Sequence, residues 1–364
     1  MTHTHMHAPK QGGSHTTNTL CVKVAADADL HAANLTNWQQ EYDQTSGGHF
    51  EGKIVELEFG DLQVFCESTS QALQQRCLVW PDSVWLGIPL AQQAESRVNG
   101  LSIRRQHIMC RPGNTAFELT TPNHYDLFGI VINQHTLVQT ADAHGITINW
   151  HELSHHGRLA IPEHTLSNVR YILSRLLDTD THTTPRHANR LSYDLVMIAV
   201  LEVLAQETPQ PPTTSSYAHR KQVVDKARQF VAHHLDTPLT ITDLCAVANV
   251  SRRTLQYSFE SILGISPIQH LRISRLNGVR RAIITSSKHH PILDIAAQWG
   301  FWHMSQFAKD YKKLFGELPS QTPRIKHHES NPTVNARTYG KLYGKAERIS
   351  PTLSPTEFII GGAM

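Results

Sequence analysis

The sequence has no apolar run long enough to span a bilayer. Its longest candidate, residues 195–205, is interrupted by Glu202, so it reads as a buried helix and no membrane partner is expected. The first ten residues are rich in His and Thr and lack an apolar core, which argues against a secretory signal and for a cytoplasmic location. Cysteine is scarce. Cys21, Cys66, Cys77, Cys110 and Cys245 are odd in number and contain no C-x-x-C pair, which argues against both a disulfide framework and a cysteine zinc site. What remains is ample for folding: 364 residues, 40% hydrophobic and 18% charged, are enough for two or three domains with sizeable cores.

The net charge of +2 hides a division along the chain. Residues 1–219 hold 21 acidic and 13 basic side chains, whereas residues 220–326 hold 7 acidic and 16 basic ones. A basic segment joined to an acidic one predicts that the basic part meets a polyanion, and nucleic acid is the obvious candidate.

Periodicity divides the chain in the same way. Val55, Leu57 and Phe59 alternate with Glu56 and Glu58, Gly60-Asp61 signals a turn, and Leu62, Val64 and Cys66 alternate again, which predicts a hairpin. Further short apolar runs, punctuated by Pro81, Pro89, Pro112-Gly113 and Pro122, predict a β-rich domain. Beyond residue 134 the spacing turns helical. Leu166, Val169, Ile172, Leu173, Leu176 and Leu177 form one apolar face, and Leu191, Leu195, Ile198, Leu201 and Val203 mark a second helix over 187–206. Such a pair can pack on the β domain or on a second copy of the chain. The prolines of 208–216 predict a linker.

The basic segment contains an internal repeat. Ile241, Asp243, Leu244, Cys245 and Ala248 recur 51 residues on as Ile292, Asp294, Ile295, Ala296 and Trp299, and Leu255, Phe259, Gly264 and Pro267 recur 52 residues on as Phe307, Tyr311, Gly316 and Pro319. Each copy reads as a short helix, a tight turn and a second helix. Thr240 with Asp243 is a capping-box start, Asn249 tolerates the positive φ of a turn, and Ser251 is a natural N-cap. This is the helix-turn-helix pattern. On the second helix of each copy the apolar stripe leaves Arg252, Arg253, Gln256 and Tyr257, then Met304, Ser305, Gln306 and Lys309, off the core. Arg and Gln so placed can pair with guanine and adenine edges in a major groove. Arg280, Lys312 and Lys313 are candidate phosphate contacts, and residues 268–284 read as a helix, weakened by Gly278, that holds the two units apart.

Residues 221–324 resemble the DNA-binding domain of AraC/XylS-family transcription regulators. The motifs that carry the likeness are Gly300-Phe301, Ser305-Gln306-Phe307, Lys309, Tyr311 and Gly316-Glu-Leu-Pro319-Ser320; His303, Leu318 and Tyr257 depart from the family pattern. The front half is similar to the sensor domain of regulators of ethanolamine-utilisation operons, through Trp38-Gln-Gln-Glu-Tyr-Asp43, Gln75-Arg-Cys-Leu-Val-Trp-Pro81, Trp85-Leu-Gly-Ile-Pro89 and Arg111-Pro-Gly113. These resemblances imply a nucleoid-associated activator that binds double-stranded promoter DNA and responds to ethanolamine and adenosylcobalamin; an activator would also meet RNA polymerase, and the helical pair leaves a homodimer open.

The fold class expected is α+β. It comprises a disordered tail over 1–30, a cupin-like or jelly-roll-type sensor and dimerisation domain with a helical hairpin over 31–207, a linker over 208–219, an all-α double helix-turn-helix domain over 220–326 and a loosely ordered tail over 327–364. Trp80, Trp85, Glu118 and Tyr125 are candidate effector-binding residues, because ammonium groups favour aromatic faces and carboxylates. The cobalamin lower-ligand motif Asp-x-His-x-x-Gly is absent, Asp142-Ala-His144-Gly145 being too short. His151-Glu-Leu-Ser-His155 has the spacing of a zinc protease, with Glu152 as base, but Gly157 comes one position early for the extended form and Ile161 occupies its third-ligand position. Zinc hydrolysis is thus the remote alternative, and neither a catalytic residue nor a metal site is expected. The nearer rival is a DNA-binding regulator with a different effector or none.

Overall fold

A computed structural model describes residues 20–148, 157–179, 186–206, 214–234, 239–287 and 289–324. The His151 to His155 motif lies outside them, as do residues 1–19 and 325–364. The front half is built on β1 (Cys21–Ala25), β2 (Gln39–Gln44), β3 (Gly52–Glu58), β4 (Leu62–Thr69), β5 (Leu73–Leu78), β6 (Ser83–Pro89), β7 (Ser96–Val98), β8 (Leu101–Ile103), β9 (His107–Pro112), β10 (Phe117–Thr121), β11 (Tyr125–Asn133) and β12 (Arg158–Ala160). One sheet has the order β1-β3-β4-β11-β6-β9-β12, the other β2-β5-β10-β7-β8. The hairpin signalled by Gly60-Asp61 joins β3 to β4 with Glu58 opposite Gln63, and Gly60 turns at φ +84°.

The larger sheet is covered on both faces. Phe65, Trp85, Met109 and Val131 point to the smaller sheet and share a core with its Tyr42, Leu73, Phe117 and Leu119. Their neighbours Val64, Leu86, Ile108 and Ile130 point the other way, into a core closed by α2 (Gln134–Ala143), α3 (Glu163–Leu176) and α4 (Arg186–Ala205). A strand buried on both sides has no polar face, which is why β6 and β11 read as continuous apolar runs. In α4 Val196, Met197, Ala199, Val200, Leu201, Val203 and Leu204 meet this core, whereas Leu191, Leu195 and Ile198 form an exposed stripe.

Two expected boundaries move. Residues 21–32, partly read as tail, hold β1, which pairs with β3, and α1 (Ala28–Ala32), which Asp27 caps by accepting from the Asp29 and Leu30 amides. The linker is shorter than expected, because α5 (Ser215–His233) starts inside it, capped by Thr214. Among the described residues, no helix is long and apolar enough to cross a membrane, and no group of three or more His, Cys, Asp or Glu could hold a metal ion.

The back half follows with α6 (Ile241–Ala248), α7 (Arg252–Leu263), α8 (Pro267–Thr285), α9 (Ile292–Gln298) and α10 (Met304–Phe315). Each repeat has its own core. Leu244, Ala248, Leu255, Phe259 and Ile262 pack on Val223, Val224, Ala227 and Val231 of α5, and Ile295, Ala296, Phe307, Tyr311, Leu314 and Phe315 pack on Leu276, Val279 and Ile283 of α8. Front and back halves belong to a single compact unit.

Candidate nucleic-acid interface

Local chemistry fixes the two bihelical units. The Thr240 hydroxyl accepts from the Asp243 amide at 3.3 Å while Asp243 Oδ2 accepts from the Thr240 amide at 2.8 Å, closing the capping box that starts α6. Asn249 ends α6 at φ 53°, and Ser251 caps α7 by accepting from the Thr254 amide at 3.2 Å. In the second unit Gly300, at φ +77°, makes the turn, and Gly316, at φ +76°, ends α10.

The first turns of α7 and α10 face outward. Arg252, Arg253, Tyr257, Ser305, Gln306 and Lys309 are exposed, Gln256 is half-buried, and Met304 is half-buried against the core of its unit. Both glutamines are tethered along their helices: Gln256 Nε2 donates to Glu260 Oε1 at 2.5 Å and Gln306 Nε2 to Asp310 Oδ1 at 2.9 Å. Asp310 also accepts from Arg272 of α8. Since a carboxylate accepts only from the amide nitrogen, each tether fixes which end of the carboxamide is the donor and leaves Oε1 outside the pairing. Tyr257, at a position where the family pattern differs, lies under the Arg220 guanidinium, 5.6 Å from its ring centroid. Lys312 and Lys313 are exposed in the last turn of α10.

Arg280 must be removed from the phosphate contacts. It is buried, its Nε donates to Asp27 Oδ2 at 2.5 Å, its Nη1 to Glu317 Oε1 at 2.8 Å, and its guanidinium lies 4.7 Å from the centroid of the Phe315 ring. Arg281 likewise turns to the front half, donating to Asp29 Oδ1 at 3.0 Å and Asp43 Oδ1 at 2.5 Å. Buried Arg228 pairs with Glu118 of β10. Burial raises the Glu118 carboxyl, but Arg228 and then Arg76 outweigh it and hold it below its ordinary value. Part of the charge division is therefore satisfied within the chain, acidic front half against basic back half.

The four candidate effector residues do not converge. Trp85 is stacked on Phe117 at 4.8 Å between the sheets, and Tyr125, also in that core, donates to Ser96 Oγ at 2.7 Å. Trp80 borders the same core, but Glu118 alternates to the opposite face of β10, where Arg228 takes it. Trp302, 71% exposed two residues before α10, and the front-half donors to the ends of α7 and α10, Arg97 and Gln44, carry no local signature in the sequence.

The fold and this surface define a helix-turn-helix DNA-binding protein. Residues 244–324 match the helix-turn-helix domain family model. The chain is 33% identical over 103 residues to the probable thc operon regulatory protein of Rhodococcus erythropolis, covering 28% of this chain and 31% of that one. It is 31% identical over 117 residues to XylDLEGF operon transcriptional activator 2 of Pseudomonas putida, covering 30% of this chain and 74% of that one. Among solved structures, the AraC-like transcriptional activator CuxR aligns over 77% of this chain and 100% of that chain, at 12% identity and a TM-score of 0.38. The chain belongs to the AraC/XylS family of transcriptional regulators, whose members are not enzymes. It spans about a third of the length of the Rhodococcus relative.

Proposed function

We propose that this chain is a sequence-specific activator of transcription whose α7 and α10 read neighbouring major-groove segments of double-stranded DNA. The observation that carries this reading is the duplicated unit: two separate cores, each turning the first residues of its second helix outward. Arg252, Arg253, Gln256 and Tyr257 form one reading set, Met304, Ser305, Gln306 and Lys309 the other, and Lys312 and Lys313 supply phosphate contacts. Footprinting the full chain on the DNA upstream of its own gene tests this; protection of a discrete site supports it, and uniform, sequence-independent binding contradicts it.

The finer reading is that ethanolamine and adenosylcobalamin are the effectors and that RNA polymerase is recruited at ethanolamine-utilisation genes. It rests on the motifs of the front half. The stretch Asp142-Ala-His144-Gly145 lacks the spacing of the lower-ligand motif, so a cobalamin contact must use other side chains or leave the lower base in place. Melting and footprinting with each compound and with both together test it; no shift under any condition contradicts it. A homodimer is supported by the exposed stripe of Leu191, Leu195 and Ile198 on α4, with Tyr171 exposed on α3.

A further inference from the structure

We infer that the front half is a template that sets the spacing between the two reading helices, with Arg97 and Gln44 as its positioning residues. This rests on the reading of α7 and α10 as the helices that enter DNA. An α-helix leaves its last carbonyls without intrahelical partners, and a cation or donor placed there both satisfies them and complements the helix dipole. Both reading helices receive those donors from the front half.

Arg97 of β7 donates from Nη1 to Ser261 O at 3.1 Å and to Ile262 O at 3.0 Å, in the last turn of α7. Beside it, the Tyr217 hydroxyl of α5 donates to Asn99 O at 2.5 Å. On the other helix, Gln44 Nε2 donates to Leu314 O at 2.7 Å and the Gly48 amide donates to the same oxygen at 3.0 Å, in the last turn of α10. The approach is close enough to require glycine: a Cβ on Gly47 would lie 2.5 Å from Lys313 O. Gln44 is itself fixed to α8, since its amide donates to Asn277 Oδ1 and its carbonyl accepts from Asn277 Nδ2, each at 3.0 Å.

Both caps belong to one sheet. Gln44 ends β2 and Arg97 sits in β7, with β5 and β10 between them, so the two are separated by three strand spacings, roughly 14 Å across the sheet. The sheet thus adds a second link between the two units, beside α8, which joins them in sequence and packs into both of their cores. Held by their C-terminal ends on that sheet, α7 and α10 present their N-terminal turns at one separation, and DNA with a different spacing between the two contacted segments must bend or lose one set of contacts.

The test uses the full chain and duplexes that carry its selected site with zero, one or two base pairs inserted or removed between the two contacted segments. For the natural chain one inserted base pair should cost at least what a mismatched pair costs, about fivefold or more. Arg97→Met and Gln44→Met should flatten that dependence to about twofold while leaving the preferred bases unchanged, and Arg97→Lys, which keeps a charged donor, should restore most of it. Thermal unfolding of each variant shows that it is folded. A spacing profile identical in all four proteins overturns this inference alone and assigns the separation to α8. Equal tightening at every spacing also overturns it, since the contacts would then restrain DNA binding. If the natural chain selects no sequence at all, the DNA-reading assignment falls and this inference with it.

Discussion

Arg280 separates two accounts of the basic surplus, because a phosphate contact and an internal clamp respond to its removal in opposite ways. In Arg280→Met the length of the aliphatic stem is largely kept, while Asp27 and Glu317 lose the guanidinium that bridges them at 2.5 and 2.8 Å and Phe315 loses the cation over its ring. Asp27 retains only its amide donors from Asp29 and Leu30, at 2.9 and 3.0 Å. Breaking a buried pair by removing one partner costs about 3–5 kcal/mol, against roughly 0–1 kcal/mol for an exposed pair. The Arg280, Asp27 and Glu317 side chains are 11%, 8% and 18% exposed, so the buried figure applies. Urea unfolding of the full chain should show the loss, and the slope of log binding constant against log salt on DNA should match that of the natural chain. Stability within about 0.5 kcal/mol of the natural chain, with a salt slope lowered by about 0.9, would return Arg280 to the phosphate backbone and refute the clamp.

Other substitutions follow from the same geometry. A Cβ on Gly278 would meet the Trp299 ring at 1.9 Å, so Gly278→Ala should destabilise the protein by about 1–3 kcal/mol; a rise in Tm, as helix propensity alone would give, contradicts the packing. Burial, with Arg228 and Arg76 nearby, holds the His270 imidazole well below its ordinary value. The unfolded chain then takes up a proton near pH 6.5 that the folded chain does not, so stability is complete above about pH 6.5 and falls below it, by up to about 1.4 kcal/mol per pH unit. His270→Gln should flatten that slope in unfolding at pH 7.5 and 5.5, and an unchanged slope would assign it to other groups. Arg253→Ala should relax preference at particular bases at a cost of about 1–3 kcal/mol, whereas Lys312→Ala should weaken all sequences alike and lower the salt slope by about 0.9; equal losses on every sequence for both would contradict the two roles.

What the sequence displayed was local. The capping box of Thr240 and Asp243, the turn at Asn249 and the Ser251 cap involve residues at most four apart, and all are present as read. Long-range pairing left no such mark. Arg280 meets Asp27 from 253 positions away, in a stretch whose composition reads as a tail. Gly278 was visible as a weak point in a helix, but its cause, the Trp299 ring against it, lies on another element. The apolar residues of α4 were legible, yet not which of them face the sheet, because Leu191, Leu195 and Ile198 are as hydrophobic as the Val196, Val200 and Val203 that are buried. For the same reason the aromatic and acidic candidates of the sensor could be named but not assembled: alternation along β10 sends Phe117 inward and Glu118 outward.

The claim on which the functional account stands is that both bihelical units engage one duplex together. Selection of binding sites from random duplexes by the natural chain, Gln256→Ala and Gln306→Ala tests it most directly. Each substitution should erase preference at its own position, the two positions lying about ten base pairs apart on one face of the helix. Loss at a single shared position, or no change in either variant, would contradict it.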